Sequence, residues 1–235
     1  MKNQMTIGVI GTIGILATTL TLVAAEPRTS SGQSDGWVAL FDGKTLDGWI
    51  QRGGKAKYTI ENGEIVGSSV PNTPNSFLCT TREFADFTLQ LEFKVDAGLN
   101  SGVQVRSHCF DEPKELEWQG KKIKVPAGRV HGLQVEIDPS ARAWTGGLYE
   151  EGARGWLNDL KANPAAQKAF KAGEWNRFRI ECKADSIKTW INDVAAADLK
   201  DSRVRSGFIA LQVHGVREKD NPMQVRFRNI RLKEL

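Results

Sequence analysis

His131-Gly132-Leu133-Gln134-Val135-Glu136-Ile137-Asp138 decides the reading of this chain. Leu133, Val135 and Ile137 alternate strictly with Gln134, Glu136 and Asp138. Side chains on a strand project with period two, so this segment is a strand with one apolar face and one face carrying an amide and two carboxylates. The pattern recurs in Ser101-Gly102-Val103-Gln104-Val105-Arg106 and in Leu211-Gln212-Val213-His214-Gly215. If the three strands share a sheet, their polar faces combine into a basin holding Arg106, Glu136 and His214, with Gln104, Gln134 and Gln212 around them.

Outward from that basin, strand patterns cover 37–41, 57–60, 64–68, 77–80 and 87–95, then 102–107, 132–137, 177–183, 186–191, 207–213 and 224–232. Asn62-Gly63 between Tyr58-Thr59-Ile60 and Ile65-Val66 is a two-residue hairpin signal. Many short strands, regular turns and little helix predict an all-β fold, an antiparallel two-sheet sandwich or jelly roll. Leu89, Leu91 and Phe93 share a core face, as do Phe178, Ile180 and Cys182; Val225, Phe227 and Asn229 mark a closing strand. The stretches 109–130 and 149–173 read as long irregular loops, the second with short helical turns at 155–160 and 164–170.

The N-terminus reads as a targeting segment. Lys2 is the only charge before Glu26, residues 7–22 are apolar with Gly and Thr interspersed, and Val23-Ala24-Ala25 supplies the small residues of a cleavage site. This places a signal peptide at 1–25, a flexible Ser/Gly/Pro-containing leader at 26–35 and a single jelly-roll domain at 36–235. The expectation is export to the periplasm or the extracellular space, with no stable membrane span after cleavage. Net charge is +4, and the densest basic run, Gly120-Lys121-Lys122-Ile123-Lys124, reads as a solvated loop, not a nucleic-acid footprint. Cys79, Cys109 and Cys182 are odd in number and have no zinc-type spacing. Their pairing is not readable from spacing.

These blocks resemble the 3-keto-disaccharide hydrolase domain family. Leu40-Phe41-Asp42-Gly43-Lys44-Thr45-Leu46-Asp47-Gly48-Trp49 is similar to its LFDGKxLxGW signature. Asp86-Phe87-Thr88-Leu89-Gln90-Leu91-Glu92-Phe93 is similar to its DFxLxxEF strand, and Asn100-Ser101-Gly102-Val103 with Arg106 to its NSGVxxR element. Further blocks are Thr145-Gly146-Gly147-Leu148-Tyr149, Gly173-Glu174-Trp175-Asn176 and Val225-Arg226-Phe227-Arg228-Asn229-Ile230. Two departures stand out. The family's G-x-E-x-Q-I-x-D has Glu and Gln exchanged at Gln134 and Glu136, and its WxNG turn becomes Trp190-Ile191-Asn192-Asp193. The resemblance implies a concanavalin-like jelly roll acting on glycosides already oxidised at C3 by a partner sugar 3-dehydrogenase. A ketone at C3 acidifies the C2 proton, so a base can form an enolate that expels the C1 substituent, after which water adds to the unsaturated sugar.

That chemistry assigns candidate roles. Glu136 is the first choice for the base, or else a structural partner of Arg106. His214 is a second acid or base, or an ordinary strand histidine. Arg106 would stabilise the enolate or clamp hydroxyls, or form a salt bridge with Glu136 or Asp138. Gln104, Gln134 and Gln212 suit hydroxyl contacts, Asp138 binds sugar or begins the turn at Pro139, and Tyr149 and Trp190 could stack on a pyranose or belong to the core. His108 and His131 sit at loop edges; Trp175 packs under a loop. A divalent ion would stabilise an enolate, but spacing does not establish one. The alternatives are a non-catalytic carbohydrate-binding module, a jelly-roll β-glucanase using Glu136 and Asp138, and an interaction domain centred on Lys121–Lys124.

Overall fold

In the computed structural model the described residues are Met1, 35–218 and 222–235. The signal segment and leader read over 1–35 fall, apart from Met1 and Asp35, outside them. The strands are β1 (Trp37–Ala39), β2 (Trp49–Gly53), β3 (Lys57–Glu61), β4 (Glu64–Ser68), β5 (Ser76–Phe84), β6 (Phe87–Val95), β7 (Ser101–Cys109), β8 (Lys114–Trp118) and β9 (Lys121–Val125). They continue with β10 (Val130–Ile137), β11 (Leu148–Glu151), β12 (Gly155–Asn158), β13 (Asn176–Lys183), β14 (Ser186–Ile191), β15 (Val194–Lys200), β16 (Gly207–Val213) and β17 (Gln224–Glu234), with one short helix, α1 (Pro164–Ala169), after β12. One sheet has the order β15-β14-β13-β6-β17-β4-β3, with β1 also on β17; the second runs β12-β11-β10-β7-β16-β5-β2. The result is an all-β jelly-roll sandwich with antiparallel sheets. Among the described residues no helix is long and apolar enough to cross a membrane.

Strand alternation builds the core between the sheets. Leu89, Leu91, Phe93, Phe178, Ile180, Cys182, Val225 and Phe227 from the first sheet meet Val103, Val105, Leu133, Val135, Ile137, Leu211 and Val213 from the second. Each such burial contributes about 1.5–3 kcal/mol, so this layer outweighs any single polar contact in the molecule. The β3–β4 hairpin turns on Asn62 (φ 52°) and Gly63 (φ 79°), which gives the backbone twist a two-residue loop needs.

Several segments depart from the sequence reading. The stretch 109–130 contains the β8–β9 hairpin, whose register runs from Lys114↔Val125 to Trp118↔Lys121. Residues 155–158 form β12 and not a helical turn, because Trp156 pairs with Tyr149. The turn expected over 164–170 is helix α1, capped by Asn163 Oδ1, which accepts the Ala166 N–H at 3.1 Å. Asn229 leaves the core face: it adopts φ 53° in an irregular stretch of β17 and is exposed, while Ile230 takes the inward position. His108 and His131 sit one residue inside the ends of β7 and β10 and face each other across the two strands.

Arg106 is the larger correction. Its backbone is left-handed (φ 47°), and both strands flanking β7 shift register beside it. The irregularity breaks the alternation, so the side chain leaves the polar face and becomes fully buried elsewhere. Nε donates to Ala85 O (2.8 Å), Nη1 to Ala184 O (2.7 Å) and Nη2 to Asp86 Oδ1 (2.8 Å). Asp86 Oδ1 also accepts the Ala184 N–H at 2.9 Å. Arg106 therefore joins the β5–β6 turn to the β13–β14 turn. It meets neither Glu136 nor His214. Removing it strands two carbonyls and opens a cavity between the two turns, so Arg106→Ala is expected to lower stability by about 3 kcal/mol. For a domain of this size that is a fall in thermal midpoint of roughly 6–12 °C. A loss below about 1 kcal/mol in chemical denaturation would show that these bonds do not hold the turns.

Candidate functional site

The outer face of the β12–β2 sheet carries the site, and the register explains how distant residues meet there. One transverse row runs Arg52–Phe77–Gln212–Gly102–Glu136. The next runs Ile50–Cys79–Ala210–Gln104–Gln134–Tyr149–Trp156. Glu136 and Gln212 thus flank Gly102 at two strand spacings, roughly 10 Å between backbones. Gly102 lacks a side chain for a reason: a Cβ there would lie 2.5 Å from Gln134 Cδ and 2.6 Å from its Cγ. The bare backbone lets the Gln134 amide lie across the floor. A basin of about 500 Å³ opens above it, lined by Glu136, Gln134, Gln212, His214, Asp138 and Tyr149 among the residues expected from sequence.

The floor is a chain of directed hydrogen bonds. Ser107 Oγ donates to Gln104 Oε1 (2.7 Å), Gln104 Nε2 to Gln134 Oε1 (2.7 Å), and Gln134 Nε2 to Glu136 Oε2 (2.9 Å). Asn100 Nδ2 donates to the other oxygen of Glu136 at 2.5 Å. Gln104 therefore supports the site from beneath. Glu136 is only 4% exposed, and burial pushes its carboxyl above the ordinary carboxylate range. The Asn100 and Gln134 donors oppose that push, Asp138 adds to it, and Arg142 opposes it.

Asp138 behaves in the opposite way. Burial raises its carboxyl, but the Ser140 hydroxyl, the Arg142 guanidinium and the Trp144 N–H outweigh it and hold Asp138 below the usual range. Ser140 Oγ donates at 2.6 Å and Arg142 Nε at 2.8 Å. Arg142 also stands 3.6 Å from Glu136 Oε1, so it supplies the cation that the sequence reading gave to Arg106. Two neighbouring carboxylates are thus separated into one that stays ionised and one placed to exchange a proton.

Gln212 is fully buried in the basin wall, and neither its amide nitrogen nor its oxygen has a partner. His214 lies just beyond β16, exposed at the rim. Its Nδ1 is 2.7 Å from Gly215 O; a carbonyl can only accept, so Nδ1 carries a proton and donates it there. Tyr149 and Trp156 meet edge to face at 5.3 Å, and Arg142 covers the Trp156 ring at 5.0 Å. Trp190 is not in this wall. It lies on the outer side of the other sheet beneath Arg179, 3.5 Å from the ring centroid, because strand parity sends its neighbours Thr189 and Ile191 inward. Trp175 likewise packs under Arg228, at 3.9 Å, on that side.

Asn75, Asn100, Ser140, Arg142, Glu151 and Trp156 complete the basin and were not singled out from sequence. Asn100 was visible as the residue opening the Asn100-Ser101-Gly102-Val103 block; Arg142 and Trp156 arrive from segments without a strand pattern. Among the described residues no three His, Cys, Asp or Glu side chains are grouped to hold a metal ion. A second cleft of about 500 Å³ near Asp42, Glu92, Arg177 and Arg231 has no buried charged group in its lining.

Residues 36–233 match the model of the 3-keto-alpha-glucoside-1,2-lyase-like domain. The chain belongs to that family. It is similar to a 3-keto-disaccharide hydrolase from Bacteroides thetaiotaomicron, 27% identical over 86% of this chain and 79% of that protein. In fold it is similar to a putative glycosyl hydrolase from Parabacteroides distasonis (TM-score 0.55, 17% identity, 88% and 97% of the two chains). It is equally similar to the carbohydrate-binding module CBM66 of Bacillus subtilis (TM-score 0.55, 17% identity, 80% and 96%). The site geometry makes its own prediction. In Gly102→Ala the displaced Gln134 loses its bond to Glu136, a donor that favours the ionised form, so the Glu136 carboxyl should titrate at higher pH. Carboxyl NMR titration measures this, and an unchanged or lower midpoint contradicts the floor described above.

Proposed function

We propose that this domain cleaves the glycosidic bond of 3-keto-glycosides by elimination and hydration, with Glu136 as the base. The observation that carries the reading is the buried Glu136 carboxylate, held by amide donors and facing an unpartnered Gln212 amide across a bare glycine. A sugar ring over Gly102 would offer hydroxyls to both atoms of the Gln212 amide and a C–H bond to Glu136. The carboxylate takes the C2 proton and the electron pair moves toward the C3 oxygen as an enolate. Arg142 supplies positive charge beside that oxygen. When the C3 carbonyl reforms, a C1–C2 double bond appears and the C1–O bond breaks, releasing the aglycone, which gains a proton. Water then adds its hydroxyl to C1 and its hydrogen to C2.

A jelly-roll glucanase mechanism fits less well. It needs two carboxyl groups across the scissile bond, whereas Asp138 follows Glu136 on the same strand end and is occupied by Ser140 and Arg142. The proposed substrate requires a separate sugar 3-dehydrogenase to install its ketone. Export, as read from residues 1–25, would put the reaction in the periplasm or outside the cell.

In D2O a 3-keto-glycoside should acquire deuterium at C2 and release its C1 substituent, and Glu136→Gln should lose 10²- to 10⁴-fold in kcat while retaining binding. Binding without exchange or release would make the domain a carbohydrate-binding module; turnover of unoxidised glycosides would favour the glucanase. Because only ionised Glu136 removes a proton, kcat/KM should fall on acidification at a pH above the ordinary carboxylate range. Asn100→Ala, which deletes a donor favouring the ionised form, should move that acid limb to still higher pH. An acid limb that moves down in Asn100→Ala would remove Glu136 from the role of base.

A further inference from the structure

Asn75 and Glu151 of the basin also line a neighbouring cleft of about 570 Å³ on the outer face of the same sheet. Its character differs. The walls include Pro74, Phe77 and Val130, and a turn from Pro126 to Arg129, closed by the Arg129 N–H on Pro126 O, lines it as well. Phe77 and Val130 belong to an apolar cluster on this outer face, separate from the main core. Part of the cleft's polar lining is already engaged. Arg129 and Glu151 pair at 3.0 Å, and Asn75 Oδ1 accepts the Gly215 N–H at 2.9 Å.

Register fixes where this cleft lies relative to the chemistry. Phe77 is directly opposite Gln212, on the side away from Gly102 and Glu136. A sugar held between Glu136 and Gln212 therefore has the apolar cleft next to it along the same row. Resting on the 3-keto-glycoside reading above, we infer that the group leaving from C1 is an aromatic aglycone, bound in the cleft of Phe77, Pro126 and Val130, and that it is not a second sugar.

Two features carry this choice. A second pyranose brings many hydroxyls and would find walls of proline, phenylalanine and valine, with the neighbouring ionisable groups paired to each other. Unsatisfied hydroxyls in such a place cost free energy, whereas an aryl ring gains by burial there. The second feature is proton supply. Glu151, the carboxylate shared by the two clefts, is held by Arg129 at 3.0 Å, and the Nδ1 proton of His214 is engaged by Gly215 O. A phenol ionises near 10, as a tyrosine does, so it departs as a phenolate and takes its proton from water. The bond balance is that of the elimination: the C1–O electron pair leaves with the phenolic oxygen as the C1–C2 double bond forms.

The test separates this inference from the reading it rests on. Binding of phenyl 3-keto-glucoside, methyl 3-keto-glucoside and a 3-keto-disaccharide is measured with Glu136→Gln protein, which holds them without turnover, and cleavage with the native protein. Phenyl 3-keto-glucoside should bind at least tenfold more tightly than the other two. Ala127 is exposed at the edge of the cleft, so Ala127→Trp fills it without disturbing the core. That variant, combined with Glu136→Gln, should bring phenyl affinity down to that of the methyl compound. Equal affinities, tighter binding of the disaccharide, or a phenyl preference untouched by Ala127→Trp would overturn the aglycone assignment while native cleavage of the methyl compound upholds the reaction. Failure of the native protein to cleave any of the three would bring down the reaction, and the aglycone assignment with it.

Discussion

Strand parity is the constraint on which the rest of this structure depends. Over 102–105, 133–137 and 209–213 every second residue of β7, β10 and β16 faces the other sheet, and Val103, Val135 and Leu211 there leave no room for a polar group. Their neighbours Gln104, Gln134, Glu136 and Gln212 are therefore forced to the opposite face, whatever function they have. Function is written on the face that folding does not use. The two are still coupled, because slipping one of these strands by a residue would expose the core and bury the amides together.

The same constraint accounts for the electrostatics. Glu136 is buried because it sits mid-sheet, under walls raised by β11, β12 and the segment after β10. Burial raises its carboxyl, so the folded state favours the protonated form. Its contribution to stability is present below the unfolded pKa and is lost as pH rises through the higher folded value. Keeping Glu136 ionised near neutrality therefore works against folding. Asp138 has the reverse sign: its lowered carboxyl stabilises the fold above the unfolded pKa, and that stability is lost as pH falls through the folded value. Arg142 is shared between the two carboxylates, so a cation bound tightly by Asp138 also lies within reach of the less tightly held Glu136.

Much of this was legible in the chain, and the exceptions have physical causes. Alternation over 132–137 and 207–213 and the Asn62-Gly63 turn are local signals, and they survive folding because nothing tertiary opposes them. Trp190 illustrates the limit of parity, which tells inward from outward but not which of two sheets a strand joins. Arg106 shows where parity itself fails. Glycine and asparagine adopt left-handed backbone readily, and Asn229 carried that warning; an arginine at φ 47° carries none. It is held there by carbonyls of two turns distant in sequence, which no window around residue 106 contains. Arg142 and Trp156 were hidden differently. Arg142 is placed by its bond to Asp138 and its stacking on Trp144 and Trp156, and Trp156 by pairing with Tyr149. Those contacts exist only once β10, β11 and β12 are side by side.

The exchange of Glu and Gln between positions 134 and 136, relative to the family's usual order, acquires a meaning from the register. Position 134 lies over the middle of the sheet beside Gln104 and Tyr149, where a carboxylate would have Gln104 as its donor. Position 136 is one step nearer the edge of the basin, within reach of Asn100 and Arg142. Both positions share one face, so moving the charge by two residues keeps it in the basin while shifting it along the strand by about 7 Å. An amide at 134 then serves as donor to the carboxylate at 136, and the two residues remain a hydrogen-bonded pair with their roles reversed.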